Sequence, residues 1–342
     1  MIESLKEVRE LKVGVDRLHS ATHDEIKTGL TTDIYFIKTL EVLRHLGLDR
    51  VNVVADIFPR RHGVMAGVKE VVELLEDKKG VKVWALEEGE EFDKREVVMQ
   101  IEGPYGEFGP LETVILGMLA SASGWASAAR ECKRAAGEKM LLCFGARHVH
   151  PAVAPVMERA ALIGGADAAS CILGAKLLGK EPKGTIPHAG ILIAGDTVVF
   201  AKAYDEIMPD DEPRIVLVDT FKDEAEEAIR VAQVLGDKLL GIRLDTPDER
   251  GGVTPDLVKE VRVRLNQAGF NKVKIFVSGG LNPERIRLLS EYPVDGFGVG
   301  SYIVHGVHID MTMDLKEVMG KPLAKRGRLP GRGVNPRLKR IL

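Results

Sequence analysis

The sequence predicts an α/β protein whose first third is α+β and whose second half alternates short apolar strands with helices. Three observations predict it. Strand-like runs at Arg50–Ala55, Val81–Leu86 and Val97–Ile101 are separated by an amphipathic stretch around Gly67 to Leu75. From Pro110 a run rich in Leu, Ala and Ser continues to Ala135 without a further proline, which predicts a mostly buried helix ending near Gly137. After it come apolar strands at Met140–Phe144, Ala168–Leu173, Thr185–Leu192, Ile215–Asp219, Gly241–Asp245, Val273–Val277 and Gly296–Val299, with helical patterns such as Asp223–Leu235 and Pro255–Ala268 between them. Buried strands alternating with helices over this length indicate a parallel sheet or a barrel. From Leu315 the chain is basic and turn-rich, and it reads equally as a tail lying on the first domain or as disorder.

Composition narrows the functional classes. With 342 residues, 45% of them hydrophobic and 29% charged, the chain can bury a large core, and its length suggests two domains. A formal net charge of -3 gives no basic surplus for a nucleic-acid backbone. Cys132, Cys143 and Cys171 have no CxxC spacing and sit among apolar or small residues, so they read as buried thiols. The N-terminal residues lack an apolar targeting segment and no run of about 18 apolar residues follows, which predicts a cytoplasmic, non-membrane protein. Scarce Gln and Asn beside abundant Lys, Arg and Glu fit a heat-adapted source.

In a βα-barrel the C-terminal ends of the strands share one mouth, so polar residues there are the first candidates for chemistry. They are Arg147 and His148, His188, Asp219, Arg243 and Asp245, Ser278, and Gly298 with Gly300. Ser278-Gly279-Gly280 leads from an apolar strand through glycines into a helix, exposing backbone N–H groups and the positive end of a helix dipole, an arrangement that suits a phosphate. Gly298-Val299-Gly300 repeats it one βα unit later. Arg243 and Asp245 lie on the same side of one strand; they form either a structural ion pair or a site in which the acid takes ribose hydroxyls and the arginine a phosphate. Asp219 could hold a hydroxyl or a magnesium ion. His188 reads equally as structural or catalytic.

In order and local context these residues resemble the nicotinate phosphoribosyltransferases and their quinolinate-using relatives, the type II phosphoribosyltransferases. The carriers are Thr31-Thr32-Asp33-Ile34-Tyr35, Phe144-Gly145-Ala146-Arg147, Gly184-Thr185-Ile186-Pro187-His188, Leu217-Val218-Asp219-Thr220-Phe221, Arg243-Leu244-Asp245, Ser278-Gly279-Gly280 and Gly298-Val299-Gly300. The resemblance implies an N-terminal α/β sandwich over residues 1–110, completed by a tail at 305–342, and an irregular, incomplete α/β (TIM-like) barrel over 111–304. It implies a homodimer or a multiple of dimers, with Asp33 and Tyr35 reaching the neighbouring subunit's site. Phe144 would stack on a pyridine ring and Arg147 would meet a carboxylate or phosphate. Thr185 counts with the substrate-binding residues, Arg243 and Asp245 with those holding the phosphoribosyl group, and the glycine turns with its 5′-phosphate. His188 is similar in position to a histidine phosphorylated in members that couple ATP hydrolysis to synthesis.

The reaction so implied is attack of a pyridine nitrogen on C1 of 5-phosphoribosyl 1-diphosphate, with His188, Asp219 and Asp245 as the catalytic set. Mg²⁺ would be held mainly through the substrate diphosphate, the protein's ligands being left open with Asp219 as the candidate, directly or through water. Quinolinate users carry an Arg-Lys-Thr segment after the first barrel strand. The chain has Arg147-His148-Val149-His150-Pro151 there, without a lysine, so the expectation is one ring carboxylate, hence nicotinate as substrate and nicotinate mononucleotide as product. The rivals are quinolinate phosphoribosyltransferase, a non-catalytic phosphosugar-binding relative, and a generic barrel isomerase or aldolase, for which Lys176 and Lys183 are poorly placed.

Overall fold

The computed structural model describes residues 1–14 and 16–342, in two compact units: residues 1–126 with 307–342, and residues 127–306. The chain is mixed α/β, with an N-terminal sheet unit and a C-terminal unit built on a half-barrel-like parallel sheet.

The first unit is an antiparallel six-stranded sheet in the order Lys321–Pro322, Met311–Val318, Asn52–Pro59, Met99–Pro104, Lys82–Ala85, Lys339–Arg340. Alternation places Val53, Ala55 and Ile57 on one face of the central strand, and they pack in a core with Val71 and Leu75 of the helix Val68–Leu75. The strand Met311–Val318 pairs with Asn52–Pro59 from Val53 opposite Val318 to Pro59 opposite Met311, with one register shift between Val54 and Ala55. The basic tail is neutralised where it lies: Lys325 and Arg328 meet Asp314 at 2.8 and 2.7 Å, Arg332 meets Glu102 and Glu317 at 2.8 and 3.0 Å, and Arg337 meets Glu96 at 2.9 Å. Disorder was one reading of this segment, and the structure instead builds it into the sheet.

The long helix runs Glu112–Ala136, after a short turn at Gly109–Leu111 and before Gly137 in the left-handed region (φ 60°). Among the described residues, no helix is long and apolar enough to cross a membrane.

The second unit carries six parallel strands in the order Ala168–Ala169, Met140–Cys143, Gly296–Val299, Lys274–Val277, Leu239–Leu244, Arg214–Leu217. Burial on both faces explains their near-continuous apolar character, as in Ile275, Phe276 and Val277. Helices follow the expected caps: Asp223 accepts from Ala225 N and Glu226 N ahead of Glu224–Leu235, and Thr254 accepts from Leu257 N ahead of Pro255–Gln267.

Two expected strands are corrected. The one at 168–173 is only Ala168–Ala169, and Ile172–Lys176 is helical. The Cys171 N–H donates to the Glu158 carboxylate at 2.5 Å, so the chain leaves the ladder there. The one at 185–192 is absent; His188–Ala194 is a helix closed by Gly195 at φ 77°. Pro187 supplies no N–H to a ladder and takes the extended conformation that begins the helix. The sheet is therefore open between its two edge strands, where this third strand would have paired.

Candidate functional site

The C-terminal ends of five of the six strands line a cleft of about 810 Å³ within the second unit; Asp219, after the sixth, is not in the lining but meets the lining residue His188. Phe144, Arg147, Thr185, His188, Arg243, Asp245, Ser278, Gly279, Gly280, Gly298 and Gly300 all line it. Most of these residues follow separate strand ends, while Thr185 and His188 arrive from the loop and helix that stand where a further strand was expected.

One side of the cleft is built from glycine turns. After Val277, Ser278 is buried and its N–H continues the ladder to Leu244 O at 2.9 Å. Gly279 and Gly280 then take φ 88° and 56°, conformations that side chains resist. Asn282 caps the helix Pro283–Ser290 by accepting from Arg285 N at 2.8 Å. Gly298 answers a different need: a Cβ there would overlap the ring of Phe144.

Next to it stands a charged pair with unspent capacity. The Ser278 hydroxyl donates to Asp245 Oδ1 at 2.7 Å, and Arg243 Nη2 lies 3.7 Å from Asp245 Oδ2. The Arg243 guanidinium sits 5.9 Å over the Phe144 ring. Its Nε is buried without a partner, and burial lowers its pKa against the raising influence of Asp245 and Asp219. Both readings of this pair are therefore present in the geometry: a loose ion pair, and donors left free for an anion.

Asp219, two residues beyond the strand Arg214–Leu217, is fully buried at its side chain and its Oδ2 meets His188 Nε2 at 3.0 Å. Its Oδ1 has no partner among the described residues, nor do the hydroxyls of Thr185 and Thr220. Burial pushes the Asp219 carboxyl above its ordinary pKa; the hydrogen bond and charge of His188 oppose this, and Asp245 adds to it. Orphaned polar atoms in one region of a buried site are where a ligand would find its partners.

Asp33 and Tyr35 belong to the first unit and do not line the cleft. Asp33 caps the helix Ile34–His45, and Tyr35 is 51% exposed. Glu158, which accepts from the cleft-lining residues Ala146 and Ser170, comes from the helix Ala154–Gly164, where it and Arg159 are the two charges among apolar and small residues. His148, Ser170 and Tyr302 also line the cleft.

With this geometry in place, comparison with known proteins decides the family. Residues 33–123 match the model of the quinolinate phosphoribosyl transferase N-terminal domain, and residues 125–314 match that of its C-terminal domain. The chain belongs to the quinolinate phosphoribosyl transferase family. It is similar to a solved structure of nicotinate-nucleotide pyrophosphorylase from Pyrococcus furiosus, at 47% identity and a TM-score of 0.88 over 93% of this chain and 82% of that one. It is 24% identical over 304 residues to a probable nicotinate-nucleotide pyrophosphorylase (carboxylating) of Methanothermobacter thermautotrophicus, covering 86% of this chain and 98% of that protein. It is also 28% identical over 314 residues to a nicotinate phosphoribosyltransferase of Bacillus subtilis, covering 80% of this chain and 63% of that protein. The chain spans between 48% and 63% of the length of the first curated nicotinate phosphoribosyltransferases it matches.

These matches correct the expectation of a nicotinate phosphoribosyltransferase. Both domain models are those of the quinolinate family, and the 47% identical structure is named as the pyrophosphorylase. The expectation rested on a missing lysine between residues 147 and 151. The cationic side chains lining this cleft arrive from separate elements, Arg147 after one strand and Arg243 from another, so one contiguous segment does not count them.

Proposed function

We propose that this protein is a quinolinate phosphoribosyltransferase: quinolinate and 5-phosphoribosyl 1-diphosphate give nicotinate mononucleotide, CO₂ and pyrophosphate. The observation that carries the reading is the succession of both family domain models along the chain, supported by the 47% identity to the Pyrococcus furiosus structure. The cleft has the parts the reaction needs. On this reading the parallel sheet is the incomplete α/β barrel, and the turns at Ser278-Gly279-Gly280 and Gly298-Val299-Gly300 take the 5′-phosphate.

Arg243, with its free Nε, meets the phosphoribosyl group, and Asp245, fixed by Ser278, takes a ribose hydroxyl. Phe144 stacks on the ring and Arg147 meets a ring carboxylate, while Thr185 supplies a hydroxyl to the substrate. The pyridine nitrogen attacks C1 as the C1–O bond to pyrophosphate breaks, and the buried carboxylate of Asp219 and the half-buried one of Asp245 stabilise the positive charge that develops on the sugar. The C2 carboxylate then leaves as CO₂, its bonding electrons remaining on C2 beside the quaternary nitrogen until a proton replaces it.

Among the described residues, no group of three or more His, Cys, Asp or Glu side chains is arranged to hold a metal ion. The donor set suits Mg²⁺ carried chiefly by the substrate diphosphate, with Asp219 and its unpartnered Oδ1 as the protein's contribution. When bound, the ion neutralises charge on the leaving pyrophosphate. In a homodimer, Asp33 and the exposed Tyr35 would serve the partner's cleft.

The test is an assay of the purified chain with 5-phosphoribosyl 1-diphosphate, Mg²⁺ and quinolinate, following mononucleotide and pyrophosphate. Stoichiometric formation of both is expected, and their absence overturns the reading. The same assay with and without ATP measures the ATP dependence that the resemblance attaches to His188.

A further inference from the structure

Glu158 is a fully buried carboxylate that none of the roles above uses. It stands on the helix Ala154–Gly164 and points between two turns that follow neighbouring strands of the sheet. Its Oε1 accepts from Ala146 N at 3.0 Å and from the Ser170 hydroxyl at 3.0 Å; its Oε2 accepts from Cys171 N at 2.5 Å. Ala146 opens the single turn Ala146–His148 that presents Arg147 and His148, and Ser170 follows the strand Ala168–Ala169. Ala146, Arg147, His148 and Ser170 all line the cleft. The three donors are neutral, so the carboxylate acts as a hub that joins two loop conformations.

We infer that Glu158 is a positioning residue for the pyridine end of the cleft, locking the Arg147 turn to the Ser170 turn so that the ring acid meets a preformed cation. The inference rests on the reading that the Arg147 side of the cleft takes the pyridine acid. A buried acceptor serving three donors leaves them unsatisfied when it is lost, and both turns gain freedom at once. The phosphate end, at Ser278-Gly279-Gly280, shares none of these bonds. The loss is therefore selective for one substrate.

Glu158→Gln keeps the shape but turns an N–H₂ toward the Cys171 N–H or toward the Ala146 and Ser170 donors, and Glu158→Asp keeps the charge on a shorter arm. In the full-length protein, hydrogen exchange should quicken at Ala146 and Cys171 in Glu158→Gln while Ser278 and Val277 keep their protection. KM for quinolinate should rise about tenfold, with KM for 5-phosphoribosyl 1-diphosphate within about twofold. Glu158→Asp should recover part of both effects. Unchanged exchange at the two turns, or KM rising equally for both substrates, overturns the inference. A wild-type protein that forms no product from quinolinate sinks the functional reading instead, and the exchange measurement still decides whether Glu158 couples the turns.

Discussion

Removal of the Arg243 side chain tests the sugar-phosphate end of the cleft. The guanidinium is held in the free protein by little: a 3.5 Å contact to Ile186 O, Asp245 at 3.7 Å, and no partner on Nε. Burial lowers its pKa, so the protein itself compensates the charge incompletely. An anionic sugar phosphate would add two charge-assisted hydrogen bonds, each worth about 1.5–3 kcal/mol. Arg243→Ala should thus lower kcat/KM for 5-phosphoribosyl 1-diphosphate on the order of 10² to 10⁴-fold, the equivalent of about 3–6 kcal/mol. Stability should change little, since the deleted group was poorly satisfied, although Phe144 loses the cation over its ring. Steady-state kinetics varying each substrate in turn, with thermal unfolding as the fold control, reads both effects. A folded variant with kcat/KM for the diphosphate sugar within about threefold of wild type would refute the assignment.

Gly298→Ala should push the Phe144 ring aside and raise KM for quinolinate about tenfold, because packed sites rarely absorb a Cβ without a shift of their neighbours; an unaltered KM would show that Phe144 does not position the ring. A pH prediction comes from the first unit, where burial and then Asp314 raise the Glu112 carboxyl from 4.5 to about 7, with Lys325 opposing. The folded protein therefore holds this proton more tightly than the unfolded chain, so stability is lost as pH rises from about 4.5 through about 7. Allowing for its partial exposure, ionisation costs about 1–2 kcal/mol. Glu112→Gln should match wild type in urea near pH 4.5 and exceed it by about that amount at pH 8.5. Equal midpoints at pH 8.5 would remove Glu112 from the pH response.

The strands that were legible were those whose apolar runs end in glycine or charge. Gly296–Val299 stands where the sequence put it, and Lys274–Val277 differs by one residue. Ala168–Leu173 misled because its local pattern is equally apolar as strand or helix, and the deciding contact, Cys171 N to Glu158, comes from the preceding helix and not from the run itself. Thr185–Leu192 carried its own warning in Pro187 before the helix and Gly195 after it. The cleft was legible one strand end at a time, because parallel strands deliver their polar termini to one mouth. What the sequence hid was the support beneath the turns: Glu158, buried on a helix, which joins the Ala146 turn to Ser170 and Cys171.

The loss of the C2 carboxylate is the step that separates this reading from its relatives. With quinolinate carrying a labelled C2 carboxylate, 5-phosphoribosyl 1-diphosphate and Mg²⁺, the account predicts one labelled CO₂ released for each nicotinate mononucleotide formed. Mononucleotide formed from nicotinate, with neither labelled CO₂ nor mononucleotide from quinolinate, would contradict it.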